Sequence, residues 1–92
     1  MDNPQKIIET QITEKAIAEI VRKCANKPSP PDTEESLFDS GYLDSFALAD
    51  VVAELESAFA IRIPDSDVNP RRFETIEKIS ALLQTKAAGS AG

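Results

Sequence analysis

The first run of regularly spaced hydrophobic residues occupies the N-terminal quarter of the chain. Asn3 followed by Pro4 is a favourable start for a helix. From there apolar positions recur every four residues and predict a helix over about 4–25; they are Ile8, Ile12, Ala16, Ile20 and Cys24, with Ile17 and Val21 widening the stripe. Because the stripe is strongest after Thr13, we expect the turns before it to fray or to sit apart.

A second helix is predicted over about 44–59. Asp44 is a strong N-cap candidate, because a carboxylate at this position accepts a backbone N–H of the first turn. One narrow face of this helix is apolar and consists of Leu48, Val51, Val52, Leu55 and Phe59. Phe46 is the exception, since it lies in the first turn on the polar side of the helix.

The remaining chain predicts two shorter helices and one long loop. We expect a short helix over about 70–73, and Thr75 is a candidate N-cap for a last helix over 76–85. The stretch between the first two helices contains three prolines, which predict an extended loop. A loop of this length in a small domain is expected to be packed down or functional. The small residues of 86–92 predict a flexible tail.

These elements predict an all-α fold, a four-helix bundle that forms a single domain over 1–85. The chain has 92 residues, of which 41% are hydrophobic, and this suffices for one small core. Its only cysteine, Cys24, excludes an internal disulfide, so helix packing must stabilise the fold. The helical spacing of Cys24 from Ile17, Ile20 and Val21 predicts a packed, unreactive thiol rather than a nucleophile.

The negative charge is concentrated in the middle of the chain. The net charge is −6, and residues 32–67 contain ten acidic residues and a single base, Arg62. A field of this sign repels phosphate backbones and anionic lipid, so we expect neither nucleic-acid nor membrane binding. No apolar run is long enough to span a bilayer, and the N-terminus lacks the features of a secretion signal. We therefore expect a cytoplasmic monomer.

The composition argues against an enzyme. The chain has no His and no glycine-rich phosphate loop, which excludes an ordinary Ser-His-Asp triad, an imidazole base and the usual zinc sites. Asp65, Asp67 and Asn69 match the first three ligand positions of a calcium-binding loop. Pro70 and Ile76, however, occupy the positions that need a glycine and a bidentate glutamate. Turn formation and helix capping are the favoured interpretation, and no metal is expected.

Ser45 is the remaining candidate for chemistry. It lies at the first turn of the helix that Asp44 caps, after a loop that contains Gly41. Because the chain arrives from a surface turn, we expect its hydroxyl to be exposed. Backbone N–H groups at the helix start favour an attached anion such as a phosphodiester. Taken alone, an Asp-Ser pair at a helix start also fits ordinary capping.

Three stretches, 37–46, 55–65 and 73–79, carry a family resemblance. They are similar to the loop and Asp-Ser-Leu attachment motif, the second helix and the last helix of the acyl carrier protein family. That family includes aminoacyl, peptidyl and D-alanyl carriers, and the resemblance covers about 12–84. It implies the acyl-carrier-type bundle, with a short third helix and a long loop between the first two helices.

The resemblance also implies a cofactor and partners. A magnesium-dependent phosphopantetheinyl transferase is expected to attach 4′-phosphopantetheine from coenzyme A to Ser45, with Asp44 capping the helix and presenting the serine. An acyl- or aminoacyl-loading ligase, an adenylating enzyme, would load the cargo as a thioester for downstream acyl-accepting enzymes, while the carrier performs no chemistry. The family's recognition element is the second helix, whose matching exposed positions are Phe46, Asp50, Ala53 and Glu56. Each of these also fits ordinary solvated surface.

Departures from the family pattern point to a specialised carrier. Phe46 replaces the usual leucine after the serine. Residues 47–49 make the start of the helix less acidic and less polar than in the carriers of primary fatty acid synthesis. Arg71 and Arg72 place positive charge on the predicted third helix, and 68–73 is more similar to the D-alanyl and aminoacyl branch. We therefore expect a secondary-metabolite or aminoacyl pathway. The alternatives are a housekeeping carrier of fatty acid synthesis and an unmodified helical protein-interaction module.

Overall fold

Three α-helices and one 3₁₀ helix make up the fold. The computed structural model of the chain describes residues 12–91, with side chains through residue 87. Helix α1 spans Glu14–Ala25, α2 spans Ser45–Phe59 and α3 spans Ile76–Ala91, and the 3₁₀ helix lies at Asp65–Asp67. Helix α1 packs against both α2 and α3. The described part of the chain is therefore all-helical, without strands.

Helix α1 starts later than predicted. Thr13 is extended, and its Oγ1 accepts the backbone N–H of Ala16 at 3.1 Å. A side-chain cap at this position ends the helix on its N-terminal side, so the first helical residue is Glu14. The predicted helix over 4–25 is thus corrected at its start, and its residues 4–11 lie outside the described part of the chain. Its predicted end is confirmed.

Helix α2 matches its prediction closely. Its N-cap is Asp44, and its last residue is Phe59. The four buried residues are all on the predicted apolar face: Leu48, Val51, Val52 and Leu55. Phe59 is only half-buried and packs against the edge of the core. Phe59, the last residue of the helix, therefore lies at the edge of the predicted apolar face rather than among its buried positions.

The short helix predicted at 70–73 is a turn in the structure. The N–H of Phe73 donates to the Asn69 carbonyl at 3.2 Å, while the N–H of Arg72 donates to the Asn69 side-chain oxygen at 2.9 Å. Pro70 has no N–H to contribute. Asn69 thus caps this turn in the way that Asp44 caps a helix, and Pro70 suits the position after a cap, but the bonding makes a single turn that does not continue as a helix. The predicted count of four helices is not confirmed.

Helix α3 starts as predicted and ends later. Thr75 Oγ1 accepts the N–H of Lys78 at 3.1 Å, which confirms Thr75 as the capping residue. The helix then continues to Ala91, past the predicted end at 85. Residues 86–91, which were expected to belong to a flexible tail, are therefore helical. Lysine and alanine are good helix formers, so the run at 86–88 sustains the helix beyond its last core position.

The long loop between α1 and α2 is packed onto the helices, as its length predicts. The side chains of Leu37 and Leu43 are only 0% and 4% exposed. The N–H of Leu37 donates to the Glu74 carbonyl at 2.7 Å, and the N–H of Glu77 donates to the Thr33 carbonyl at 3.1 Å. These bonds fix the loop against the start of α3.

Asp67 ties the 3₁₀ helix to α3. Its Oδ2 lies 2.6 Å from Lys86 Nζ, and its Oδ1 lies 3.5 Å from Arg72 Nη1. The hydrogen bond from Lys86 holds the pKa of Asp67 below its usual value; burial opposes this effect, and the charges of Lys86 and Arg72 add to it. Together with the bond to Asn69, these contacts support the interpretation that Asp67 and Asn69 serve turn formation and capping.

Within the described residues, no group of three or more His, Cys, Asp or Glu side chains is placed to hold a metal ion.

We predict that Phe73→Ala lowers the free energy of unfolding by about 3–5 kcal/mol, since it empties a core site. Phe73 is the largest fully buried side chain of the described residues. Urea denaturation measures the loss, and Phe73→Leu gives a smaller value if the alanine variant does not fold. The control is Phe46→Ala, because Phe46 is 88% exposed and its removal leaves no cavity. Equal losses in the two alanine variants would contradict the described core.

We further predict a pH-dependent contribution from Asp67. Its pKa is lower in the folded than in the unfolded chain, so the ionised carboxylate favours folding. This contribution is complete above the ordinary aspartate pKa and is lost as the pH falls through the lowered value. In thermal melts, Asp67→Asn should therefore melt below the wild type at neutral pH, and the two curves should converge at acidic pH. A difference that does not change with pH would show that the ion pair is not its cause.

Candidate functional site

Ser45 is the first residue of α2, and its side chain is exposed. The chain reaches it through Gly41, whose φ of +83° lies in the left-handed region that favours glycine. At a helix start, backbone N–H groups and the positive end of the helix dipole face outward. The Ser45 hydroxyl is therefore reachable from solvent and lies in a field that favours negative charge.

Asp44 determines where α2 begins. It is extended, and its Oδ1 accepts the N–H of Ala47 at 2.8 Å. Its backbone carbonyl accepts the N–H of Leu48 at 3.1 Å, the first bond of the helical ladder. These two bonds place Ser45 immediately inside the helix, at the position that the sequence predicted.

The residues just before Asp44 are held on two sides. On the inner side, the buried Leu43 donates its N–H to the Leu37 carbonyl at 2.9 Å. On the outer side, the Tyr42 hydroxyl donates to the Ser29 carbonyl at 2.6 Å. Tyr42 was not among the residues that the sequence pattern predicted for the site. The available signal was the chain's only tyrosine, placed in a polar loop two residues before the helix cap.

The structure brings together three of the four predicted partner-contact residues. Phe46, Asp50 and Ala53 are exposed and lie at helical spacing on one face of α2. Phe46 is 88% exposed, the largest exposure of any bulky hydrophobic side chain among the described residues. Glu56 is half-buried instead, and its Oε2 accepts the N–H of Ile63 at 2.7 Å. Glu56 therefore holds the segment that follows α2.

Cys24 faces an open groove between α1 and α2, which Asp50 and Glu54 also line. Burial raises the pKa of its thiol, and the nearby carboxylates of Glu54 and Asp50 raise it further. A raised pKa keeps the thiol protonated at neutral pH, and the protonated form is a poor nucleophile. This agrees with the predicted packed and unreactive cysteine.

Four basic side chains lie together beside α3. Arg71, Arg72, Lys78 and Lys86 line one groove. Some of this charge is neutralised, since Lys78 pairs with Glu74 at 2.9 Å. Lys86 and Arg72 also pair with Asp67, so the acidic and basic segments of the chain meet here. Among the residues that the structure describes, no helix has both the length and the apolar character needed to cross a membrane.

The sequence of this chain matches a known family and several characterised proteins. Residues 15–83 match the family described as the phosphopantetheine attachment site, a span that includes Ser45 and all of α2. The D-alanyl carrier protein of Streptococcus pyogenes serotype M5 (strain Manfredo) is 41% identical over 46 residues, which cover 50% of this chain and 58% of that protein. The D-alanyl carrier protein of Lactococcus lactis subsp. cremoris (strain MG1363) is 38% identical over 55 residues, which cover 60% of this chain and 70% of that protein.

A third relative gives the same result. The D-alanyl carrier protein of Streptococcus uberis (strain ATCC BAA-854 / 0140J) is 39% identical over 46 residues. The match to each of these streptococcal relatives spans only 58% of the relative's length. Members of the matched family hold covalently attached 4′-phosphopantetheine and are carriers rather than catalysts. Since the match extends over well more than half of the sequence and across the exposed serine at the start of α2, this chain belongs to the phosphopantetheine attachment site family.

Proposed function

We propose that this protein carries an acyl or aminoacyl group as a thioester on 4′-phosphopantetheine attached to Ser45 and delivers the group between partner enzymes. The observation that carries the proposal is the exposure of Ser45 at the first turn of α2, inside the family match. An attachment site must admit a transferase, and this hydroxyl is open to solvent. The residues present therefore fit the group.

The attachment reaction assigns a role to each residue at the helix start. Ser45 Oγ forms a bond to the phosphorus on the pantetheine side of the pyrophosphate of coenzyme A, the pyrophosphate bond breaks, and adenosine 3′,5′-bisphosphate leaves. The hydroxyl proton passes to a base of the phosphopantetheinyl transferase. Asp44 presents the serine by holding the N–H of Ala47, and the start of α2 stabilises the negative charge of the phosphodiester. When bound, the group supplies the thiol that forms the thioester with the cargo.

The exposed face of α2 is suited to partner contact. Phe46 supplies a hydrophobic anchor beside Ser45, and Asp50 supplies negative charge on the same face. The acidic middle of the chain steers partners with basic surfaces. We propose a phosphopantetheinyl transferase, an acyl- or aminoacyl-loading ligase and downstream acyl-accepting enzymes as these partners. Glu56 borders the face, but its bond to Ile63 gives it a structural role first.

An amino acid is the favoured cargo. The relatives named above are D-alanyl carrier proteins, and residues 68–73 resemble that branch. This supports a specialised aminoacyl or secondary-metabolite pathway over housekeeping fatty acid synthesis.

One observation also supports a second function. The 88% exposure of Phe46 would suit an unmodified protein-interaction module that uses this ring as its anchor.

We predict that incubation with coenzyme A and a promiscuous phosphopantetheinyl transferase adds one phosphopantetheine group to the chain. Intact-mass spectrometry measures the gain. Ser45→Ala should abolish it, whereas Ser40→Ala and Ser57→Ala, which change other exposed serines, should retain it. A folded wild-type chain that gains no mass would favour the unmodified module. A gain that survives Ser45→Ala would place the attachment elsewhere.

Mass spectrometry of the protein from its native cells tests the cargo. An aminoacyl mass supports the favoured cargo, and a fatty acyl mass supports the housekeeping alternative.

We also predict that Phe46→Ala lowers the kcat/KM of the transferase about tenfold, as expected for the loss of an interface anchor worth about 1.4 kcal/mol. The melting temperature should not fall, because the Phe46 ring is 88% exposed and adds little to the core. Steady-state kinetics with coenzyme A measure the effect, and Ser57→Ala on the same helix is the control. Unchanged kinetics for Phe46→Ala would remove this ring from the contact face.

A further inference from the structure

A series of contacts links the end of α1 to the loop that precedes α2. Arg22 Nε donates to the Glu19 carboxylate at 3.2 Å, and Arg22 Nη1 donates to the Lys27 carbonyl at 3.1 Å. Lys27 Nζ lies over the Tyr42 ring, 5.8 Å from its centroid. The Tyr42 hydroxyl then donates to the Ser29 carbonyl at 2.6 Å. We call the contacts of Tyr42 with Lys27 and Ser29 the Tyr42 tie.

The local sequence explains why this loop depends on a side chain. Ser29 lies among Pro28, Pro30 and Pro31, which have no N–H and cannot donate backbone hydrogen bonds. Its carbonyl is satisfied by the Tyr42 hydroxyl, thirteen residues along the chain. The Tyr42 tie therefore joins residues 29 and 42 of the loop, in a region where the prolines cannot donate backbone hydrogen bonds.

Tyr42 lies only three positions before Ser45 in the sequence. Leu43 is buried and bonded on the inner side, so Tyr42 and Leu43 fix adjacent residues from opposite sides. Asp44 follows directly and sets the first turn of α2. A tyrosine hydroxyl is protonated at neutral pH, and burial raises the pKa of Tyr42 further, so the hydroxyl is a donor.

We propose that Tyr42 is a positioning residue for the attachment reaction at Ser45. By holding the loop to Ser29, it sets the position of the Asp44 cap and thus the direction in which Ser45 Oγ is offered to the transferase. This inference rests on the proposed function. If the loop is already ordered before binding, the free energy of ordering it does not weaken binding by the transferase. Loss of the Tyr42 hydroxyl should therefore weaken the affinity of the transferase for the carrier.

The test is Tyr42→Phe in the full chain, which keeps the ring and removes only the hydroxyl. With coenzyme A and the promiscuous transferase, the KM for the carrier should rise about fivefold while kcat is unchanged, the size expected for one neutral hydrogen bond. In the unmodified protein, exchange of the hydrogen-bonded amides of Leu43, Ala47 and Leu48 should quicken by a similar factor, while α3 amides keep their rates.

The matched control is Thr13→Ala, which removes a hydrogen-bonding cap at the far end of α1. It should lower the melting temperature without changing the KM. An unchanged KM for Tyr42→Phe, or an equal rise in Thr13→Ala, would overturn the proposal. A wild-type chain that accepts no phosphopantetheine would instead contradict the proposed function. In that case unchanged exchange at Leu43, Ala47 and Leu48 in Tyr42→Phe would still overturn the role of the Tyr42 tie.

Discussion

The bond between Asp44 Oδ1 and the N–H of Ala47 determines the geometry on which the site depends. A helix needs one residue at which the extended chain turns into the first helical turn, and this carboxylate defines that residue. Had α2 begun one residue later, Ser45 would occupy the extended cap position rather than the first turn. The face with Phe46 and Asp50 depends on the same register, because all exposed positions of α2 are counted from its start.

Parts of the non-helical chain are held by a small number of bonds to the helices. Leu37 is joined to the start of α3 through the Glu74 carbonyl, and Ile63 is joined to α2 through the Glu56 carboxylate. Phe73, at the end of a turn, is completely buried. In so small a domain the connecting segments supply part of the core, so the loops are as important for stability as the helices.

The arrangement separates stability from chemistry. The buried side chains support the helices, whereas Ser45 and Phe46 lie outside the core and are free of its packing constraints. A carrier must offer its attachment residue to several enzymes in turn, and under the proposed function the exposed start of α2 would meet that need. Under the proposed function the reactive thiol would belong to the attached group, so a chain without histidine could still take part in acyl transfer.

Local interactions explain what the sequence by itself determined. The bounds of α2, the caps Asp44 and Thr75 and the candidate Ser45 all follow from residues within one or two helical turns of each other. The tertiary structure alone decided that Glu56 turns to Ile63 and that Tyr42 reaches Ser29, because these pairs meet only when separate segments pack. It likewise decided that the helical signal at 70–73 yields only a single capped turn and that Phe59, at a helix end, is only half-buried. Periodicity predicts which face of a helix is apolar. How much of that face is buried depends on packing against residues that are distant in the sequence.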